Sequence, residues 1–410
     1  MAEQPTLRRR LGLTLMVLYG LGTTIGAGIY ALVGLVAAEA GIFAPVSFLI
    51  AALLAGFSAL SFAELCARFP TSAGEARYVR EGFGSTRLSL LVGLLVVAAG
   101  LVSAAAVANG FAGYLQTFVD LPREASVAGI VVLLGLLAAW GIGESVSAAG
   151  LMTLIEAGGL LLVIWVAHDN PLPGAPGFEA FAPTADLVVW SGVLTGSFLA
   201  FFAFIGFEDM VNVAEEVTGV TRTLPRAILL TLAITTALYV VLALVAVRTV
   251  APDELGRSGA PLALLYERGG GEPALIAGIA LIATVNGALI QIIMASRVLY
   301  GLADQGLLPR ILARIGARTR TPLLATAIAT LAVLAAGVAF EIGALAETTS
   351  VIALTVFALV NLALWRLKAP DKTRRPQPPG LPSVPRWVPL VGFLVSAGFA
   401  LAGALRGLAS

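Results

Sequence analysis

Glu156 is the charged residue whose position speaks most directly of chemistry. It stands between Ile155 and Ala157, near the middle of an apolar run over 146–167. An ionised side chain at that depth in a bilayer costs on the order of 3 kcal/mol on insertion scales. Such a group must hold a proton, find a partner or face a wet cavity. Burial away from cations favours the neutral form, which suits a carboxyl that loads and releases a coupling proton. Two other uses stay open for Glu156, a share in binding a cation and a neutral hydrogen bond to a neighbouring helix.

Two glycine interruptions offer a second kind of chemistry, made by backbone. Gly22-Thr23-Thr24-Ile25-Gly26-Ala27-Gly28 interrupts one apolar run, and Phe204-Ile205-Gly206-Phe207 interrupts another. Unwinding a helix in a membrane frees N–H and C=O groups that something else must satisfy. A half-helix N-terminus offers N–H groups and the positive dipole end to a carboxylate. Freed carbonyls at the opposite half-helix end suit an ammonium. An α-amino acid carries both charges one carbon apart. The plainer use of Gly22-x-x-x-Gly26 is a small-residue packing face, and the matched break in the second run weighs against it. Glu208, just after that second break, is the next candidate, either capping a half-helix N-terminus or gating with a proton. Asp209 beside it is assigned as helix-end charge.

The elements that must position these groups are apolar runs long enough to cross a bilayer, about 17–25 residues each. Eleven are present, near 11–37, 42–66, 88–118, 125–143, 146–167, 187–214, 224–247, 273–303, 322–340, 348–365 and 387–405. Residues are 59% hydrophobic and 12% charged, against about a quarter charged in soluble domains. With the N-terminus placed inside, twenty of the 25 Lys and Arg residues fall on the inner side and five on the outer. That asymmetry obeys the positive-inside rule and supports the count of eleven. Arg8-Arg9-Arg10 precedes a run far longer than a signal-peptide core of about 7–15 residues, so that run is the first span.

Helices 1–5, over 11–167, then begin inside, and helices 6–10, over 187–365, begin outside. The two five-helix units have opposite orientation, and the first helix of each carries a break. Paired interruptions in corresponding helices point to a transporter binding site. The 387–405 helix is additional, and residues 1–410 are expected to form a single all-α transmembrane domain.

Composition removes other functions. One His and one Cys exclude a His/Cys metal centre and any intramolecular disulfide; no metal and no catalytic residue is expected. His168, at the outer end of helix 5, is the sole basis for Ser-His chemistry, so the chain is not expected to be an enzyme. No filter motif of a channel and no basic stripe for nucleic acid is present. Asn109, Asn286 and Gln291 are assigned to helix joining, and Arg297 to a snorkelling structural role.

The residues at both breaks resemble those of the amino acid–polyamine–organocation superfamily. Gly22 to Tyr30 is similar to its first-helix signature, with Tyr30 where the family has Phe. Phe202 to Glu208, Ala214-Glu215-Glu216 and Arg222 to Ile228 resemble its sixth helix and following loop. Glu64-Leu65, Phe69-Pro70 and Gly74 resemble the helix 2–3 loop, and Ser296 to Tyr300 with Asp304, Gly306, Leu308 and Pro309 the end of helix 8. The resemblance implies a LeuT-like 5+5 inverted repeat with broken helices 1 and 6. It implies an amino-acid permease with Ile25, Gly26, Ala27 and Gly28 at the substrate carboxylate. Phe202, Ala203, Phe204 and Ile205 would meet the amine and side chain, with Phe202 as an aromatic cap; Thr23, Thr24 and Gly206 complete the candidate site. Two features depart from the family, eleven helices rather than about twelve, and Glu156 where many members have Lys. The reversed charge makes Glu156 a proton-coupling candidate, and Glu208, which follows the second break, is the other.

The expected activity is secondary active amino-acid uptake by alternating access, with no cofactor and a proton gradient, or another cation, as the driving force. The alternative is an amino-acid or polyamine exchanger or facilitator of the same fold without obligatory proton coupling. The short loops suit a bacterial inner membrane with the N-terminus cytoplasmic and the C-terminus outside, in contact with lipid.

Overall fold

The computed structural model describes residues 11–71, 74–140, 146–175, 177–181, 185–316, 318–369 and 380–409. Among them the chain is helical, with no strand beyond an isolated parallel bridge between Leu11 and Val217. The helices are α1 (Leu13–Ala40), α2 (Ala44–Arg68), α3 (Gly74–Phe83), α4 (Thr86–Leu115), α5 (Arg123–Trp140), α6 (Val146–Ala167) and α7 (Leu187–Phe202). After a 3-10 segment, Phe207–Glu216, come α8 (Val220–Thr249), α9 (Pro252–Arg257), α10 (Pro261–Arg268), α11 (Pro273–Asp304), α12 (Leu323–Ala339), α13 (Ile342–Leu367) and α14 (Trp387–Ala409).

Each of the eleven apolar runs overlaps one of these helices, the run over 187–214 covering α7 and most of the 3-10 segment after it. Nine helical stretches of the described residues are long and apolar enough to cross a membrane, with Gly28–Arg68 counted as one. The count falls below eleven because α1 is divided at Gly26, and its second half runs through a 3-10 turn into α2. The 17 residues of α12 lie at the short end of what spans a bilayer. The sequence runs gave no hint of α3, α9 and α10. These are short amphipathic pieces; α3 buries Tyr78 and Val79 while Arg77 and Arg80 face outward.

The outside of the bundle carries large apolar side chains, Leu53, Leu136 and Leu331 among them, each more than 60% exposed. Water would penalise such a surface, and lipid accepts it. Inside, small residues let backbones meet. A Cβ on Gly113 would overlap the Gly259 carbonyl, and one on Gly34 the Leu255 carbonyl. Buried polar pairs pin the helices. Asn361 of α13 donates to Ser58 Oγ of α2 at 3.0 Å and accepts from Ser61 Oγ at 2.6 Å. Asn109 of α4 donates to the Gly337 carbonyl of α12 at 3.0 Å. Arg123 donates to Asn109 Oδ1 and to the carbonyls of Val338 and Phe340, so it satisfies acceptors left open where α12 ends.

At the end of the bundle where arginines concentrate, Glu64 is fully buried in α2. Both of its oxygens accept from Lys368 Nζ at 2.7 Å, one also pairs with Arg68, and the other accepts from Val384 N at 2.7 Å. One carboxylate thus ties α2 to the end of α13 and to the segment leading into α14.

Candidate functional site

The two glycine interruptions are real departures from helix, and they face each other. Gly26 has φ −11° and ψ −156° inside α1. The second break follows Phe202: α7 ends, and Gly206 takes φ +126°, a region open to glycine and costly to other residues. A Cβ on Gly206 would also run into the carbonyl of Thr23. The chain therefore has glycine there for two independent reasons.

Three hydrogen bonds hold the breaks together. Thr23 Oγ1 lies 3.0 Å from the Gly206 carbonyl, and it also reaches the carbonyls of Tyr19 and Gly20 in its own helix. Tyr239, from α8, directs one hydroxyl at two acceptors, the Thr24 carbonyl at 2.9 Å and the Ala203 carbonyl at 3.1 Å. Its ring is fixed edge-on against Phe204 and Phe48, with centroids 5.2 and 5.9 Å away. The backbone groups freed by the breaks are thus shared out between partners, as membrane burial demands.

A small cavity opens between the breaks. Thr23, Thr24, Gly26, Gly28, Phe202 and Ile205 line it. The Phe202 ring packs on Gly28, where a Cβ would stand 3.2 Å from the ring and 3.0 Å from the Ala203 Cα. Ile25 and Phe204 are wholly buried in the core and are not among the lining residues. Ala203 contributes its carbonyl to Tyr239 and Gly206 its carbonyl to Thr23. Ala27 is helical in backbone, and its side chain lies outside the described residues.

Glu156 is fully buried, but it lines neither this cavity nor the one described next. Its Oε1 stands 3.5 Å from Asn286 Nδ2 of α11. A relay of hydroxyls surrounds its backbone. Tyr30 donates to the Glu156 carbonyl at 2.6 Å, Tyr114 donates to the Tyr30 carbonyl at 2.6 Å, and Leu262 N donates to Tyr114 Oη at 3.3 Å. The Tyr30 that replaces the family's Phe thereby links α1 to α6 beside the carboxyl.

Glu208 accepts from its own break, with Gly206 N 2.9 Å from Oε2; the carboxyl caps the 3-10 segment. The half-helix anticipated after the break is this 3-10 segment, so side chains recur nearly every three residues. Glu208 and Asp209 are both buried there. Asp209, assigned from sequence to helix-end charge, is in fact buried, and it lines both cavities together with Gln291. Gln291, expected to join helices, hydrogen-bonds Asp209 across from α11 and also lines both cavities.

A second cavity adjoins the first at Ile205. Glu75 enters it from α3 and joins Glu208 and Asp209, the three being 4, 9 and 4% exposed. Burial pushes the Glu75 carboxyl up to about 8; its own backbone N–H opposes the rise and Glu208 adds to it. Sequence reasoning missed Glu75, because it sits outside every apolar run among polar residues. The one available signal was Gly74: a Cβ there would overlap Val211, so α3 packs directly onto the segment after the second break. Arg297 and His168 are exposed; His168 Nε2 lies 3.2 Å from Asp169.

Residues 11–406 match the model of a family described as amino acid permease. The chain is 28% identical to a branched-chain amino acid permease of Bacillus subtilis, over 96% of this chain and 91% of that one. It is 31% identical to the vacuolar cationic amino acid transporter 2 of Arabidopsis thaliana, over 92% of this chain but only 62% of the plant protein. It is also 31% identical to an uncharacterized transporter of Mycobacterium tuberculosis, over 96% of this chain and 87% of that one.

Proposed function

The chain belongs to the amino acid permease family, and from that premise we propose that it is a secondary active permease, taking up an amino acid by alternating access under an inward proton gradient. The observation that carries this reading is the meeting of the two breaks around one cavity. In this reading, backbone N–H groups at Gly26 to Gly28 meet the substrate carboxylate, and backbone carbonyls of the Phe202 to Ile205 turn meet its ammonium. Phe202, packed on Gly28 at the cavity wall, caps the substrate.

Alternating access needs the first half of α1 and the segment after the second break to move as one body. The bond network supports that motion. Leu11 N donates to the Glu216 carbonyl at 3.1 Å and Thr218 N to the Leu11 carbonyl at 3.0 Å, so the two are tied at the ends away from the breaks as well as at Thr23. Glu156 carries the coupling proton, and its Asn286 neighbour stabilises either protonation state by offering a donor or an acceptor. The arginine-rich end of the bundle faces the cytoplasm of a cell membrane.

Uptake of a labelled amino-acid panel into proteoliposomes, with and without an inward proton gradient, tests the reading. The named relatives make branched-chain and cationic amino acids the first two classes to try. Gradient-stimulated uptake of one class is the expected result. Exchange only after preloading would replace the symporter with an antiporter, and absence of transport in both modes would remove the amino-acid assignment.

A further inference from the structure

Residues 305–322 join the end of α11 to the start of α12 at the arginine-rich end of the bundle. Arg310, Arg314, Arg318 and Arg320 stand there within eleven residues, and no Asp or Glu occurs between 305 and 340. All four arginines are exposed. Among the described residues none of them makes an ion pair or a ring contact. Other basic residues of that end are engaged. Arg68 and Lys368 hold Glu64, Arg77 pairs with Glu81, Arg366 lies over Phe83 and Arg386 over Trp365.

The segment is clamped to the bundle. Leu308 and Leu312 pack on the core, and the 3-10 turn Arg310–Ala313 lies against α11. Gly316 N donates to the Thr321 carbonyl at 2.9 Å and Arg320 N to the Gly316 carbonyl at 2.9 Å, while Thr321 Oγ1 donates to the Ala139 carbonyl of α5 at 2.8 Å. Arg320 takes φ +56°, alone among the described non-glycine residues, a conformation that side chains rarely adopt. In the same stretch Ile311 and Ile315 are 50 and 52% exposed, and Leu323 and Leu324 open the exposed, apolar start of α12. Cations without partners thus stand among apolar side chains that water would penalise. The boundary between lipid headgroups and acyl chains accepts both.

We propose that residues 308–324 form a docking surface for anionic lipid of the cytoplasmic leaflet, with the arginines on headgroup phosphates and Ile311 and Ile315 among the first methylenes. Guanidinium and phosphate make charge-assisted, bidentate hydrogen bonds. Each arginine near an anionic membrane surface strengthens binding about fivefold, so four held in one clamped stretch select strongly for a charged headgroup. An acidic soluble partner would answer the arginines but leave the isoleucines facing water. A lipid answers both, and it already borders the exposed leucines at the start of α12. Of the permease reading this inference uses only the orientation of the arginine-rich end.

Native mass spectrometry of the full chain in detergent tests this, with phosphatidylglycerol and phosphatidylcholine of identical acyl chains as probes. Wild type should bind its first phosphatidylglycerol at least tenfold tighter than phosphatidylcholine. Combining Arg310→Gln, Arg314→Gln and Arg318→Gln should lower that ratio at least tenfold; Arg320 stays because its backbone is constrained. Arg222→Gln with Arg226→Gln is the control. Those two arginines are exposed at the same end but follow Glu215 and Glu216, and their loss should leave the ratio as in wild type. Melting temperatures without added lipid report folding. Should the triple variant melt early, Arg314→Gln alone decides, with a threefold or greater fall expected. Equal affinity for the two lipids in wild type, or an undiminished ratio in the folded variants, overturns the docking surface. An equal loss in the control overturns it too, since the whole basic end would then be responsible. Inorganic phosphate that displaces phosphatidylglycerol at equal concentration would make it a free-anion site instead. Transport is not read in any arm, so failure here leaves the permease reading standing, and failed uptake leaves the lipid surface standing.

Discussion

The hydroxyl of Tyr239 points at the carbonyl of Thr24 from 2.9 Å, and the same proton is shared with Ala203 3.1 Å away. One side chain from α8 therefore holds the unwound stretches of both broken helices at once. Tyr239→Phe keeps the ring against Phe204 and Phe48 but leaves two buried carbonyls short of a donor. A buried acceptor left unsatisfied costs about 1–3 kcal/mol. Substrate affinity should fall between about fivefold and a hundredfold, with a lower melting temperature in detergent. Wild-type values for both would mean that the breaks are held by the other bonds alone.

Gly206 combines a positive φ with a carbonyl in the way of any Cβ, so Gly206→Ala should abolish transport and lower thermal stability. Gly158 is the control. It lies in α6 with open space around its Cα, and an exposed helical Gly→Ala change stabilises by up to about 1 kcal/mol. Melting curves of the two variants should move in opposite directions. A Gly206→Ala protein that melts and transports like wild type would remove the steric account of the second break.

Much of this arrangement could be read from the sequence, for a physical reason. Apolar runs of spanning length have few alternatives in lipid, so the eleven runs became helices, and glycines placed inside two of them became breaks. What escaped was set by packing between distant segments. Asp209 does stand in the first turn after the break, but the cavity wall it shares with Glu75 and Gln291 buries it. Glu75 sits in a stretch too polar to register as a span, and only the contact of Gly74 with Val211 brings it to the cavity. Tyr239 had no motif at all, since its role depends on two carbonyls more than 30 and more than 200 residues before it in the chain.

Glu156 has Asn286 at 3.5 Å and Tyr30 at its backbone, which positions a carboxyl without a resident cation from either. Glu156→Gln retains the shape and the capacity for those bonds. Uptake by this variant should lose its stimulation by an inward proton gradient while counterflow exchange continues. A gradient response equal to wild type would assign coupling elsewhere.

Lys368 supplies two of the contacts to the fully buried Glu64 carboxylate. Removing one partner from a buried pair costs about 3–5 kcal/mol, whereas removing both costs less because no uncompensated charge stays behind. Lys368→Met alone should therefore be less stable than Lys368→Met combined with Glu64→Gln. A double-mutant cycle on melting free energy reads the coupling, and strict additivity would show that Arg68 and Val384 suffice.

Glu75 makes stability itself depend on pH. An unperturbed Glu carboxyl titrates near about 4.3, whereas in the folded chain burial first, and Glu208 after it, bring this one to about 8. Between those two values the native state binds a proton that the unfolded state has released. By linkage, stability then falls as pH rises, at up to about 1.4 kcal/mol per pH unit. The contribution is whole below about 4.3 and gone above about 8. Glu75→Gln stays neutral in both states and removes the slope. Melting temperatures of wild type and Glu75→Gln from pH 6 to 9 should therefore diverge, the wild type declining more steeply until about pH 8 and running parallel beyond it. Parallel curves across the whole range would mean that Glu75 is ionised in the resting protein, its charge balanced by a group outside the cavity.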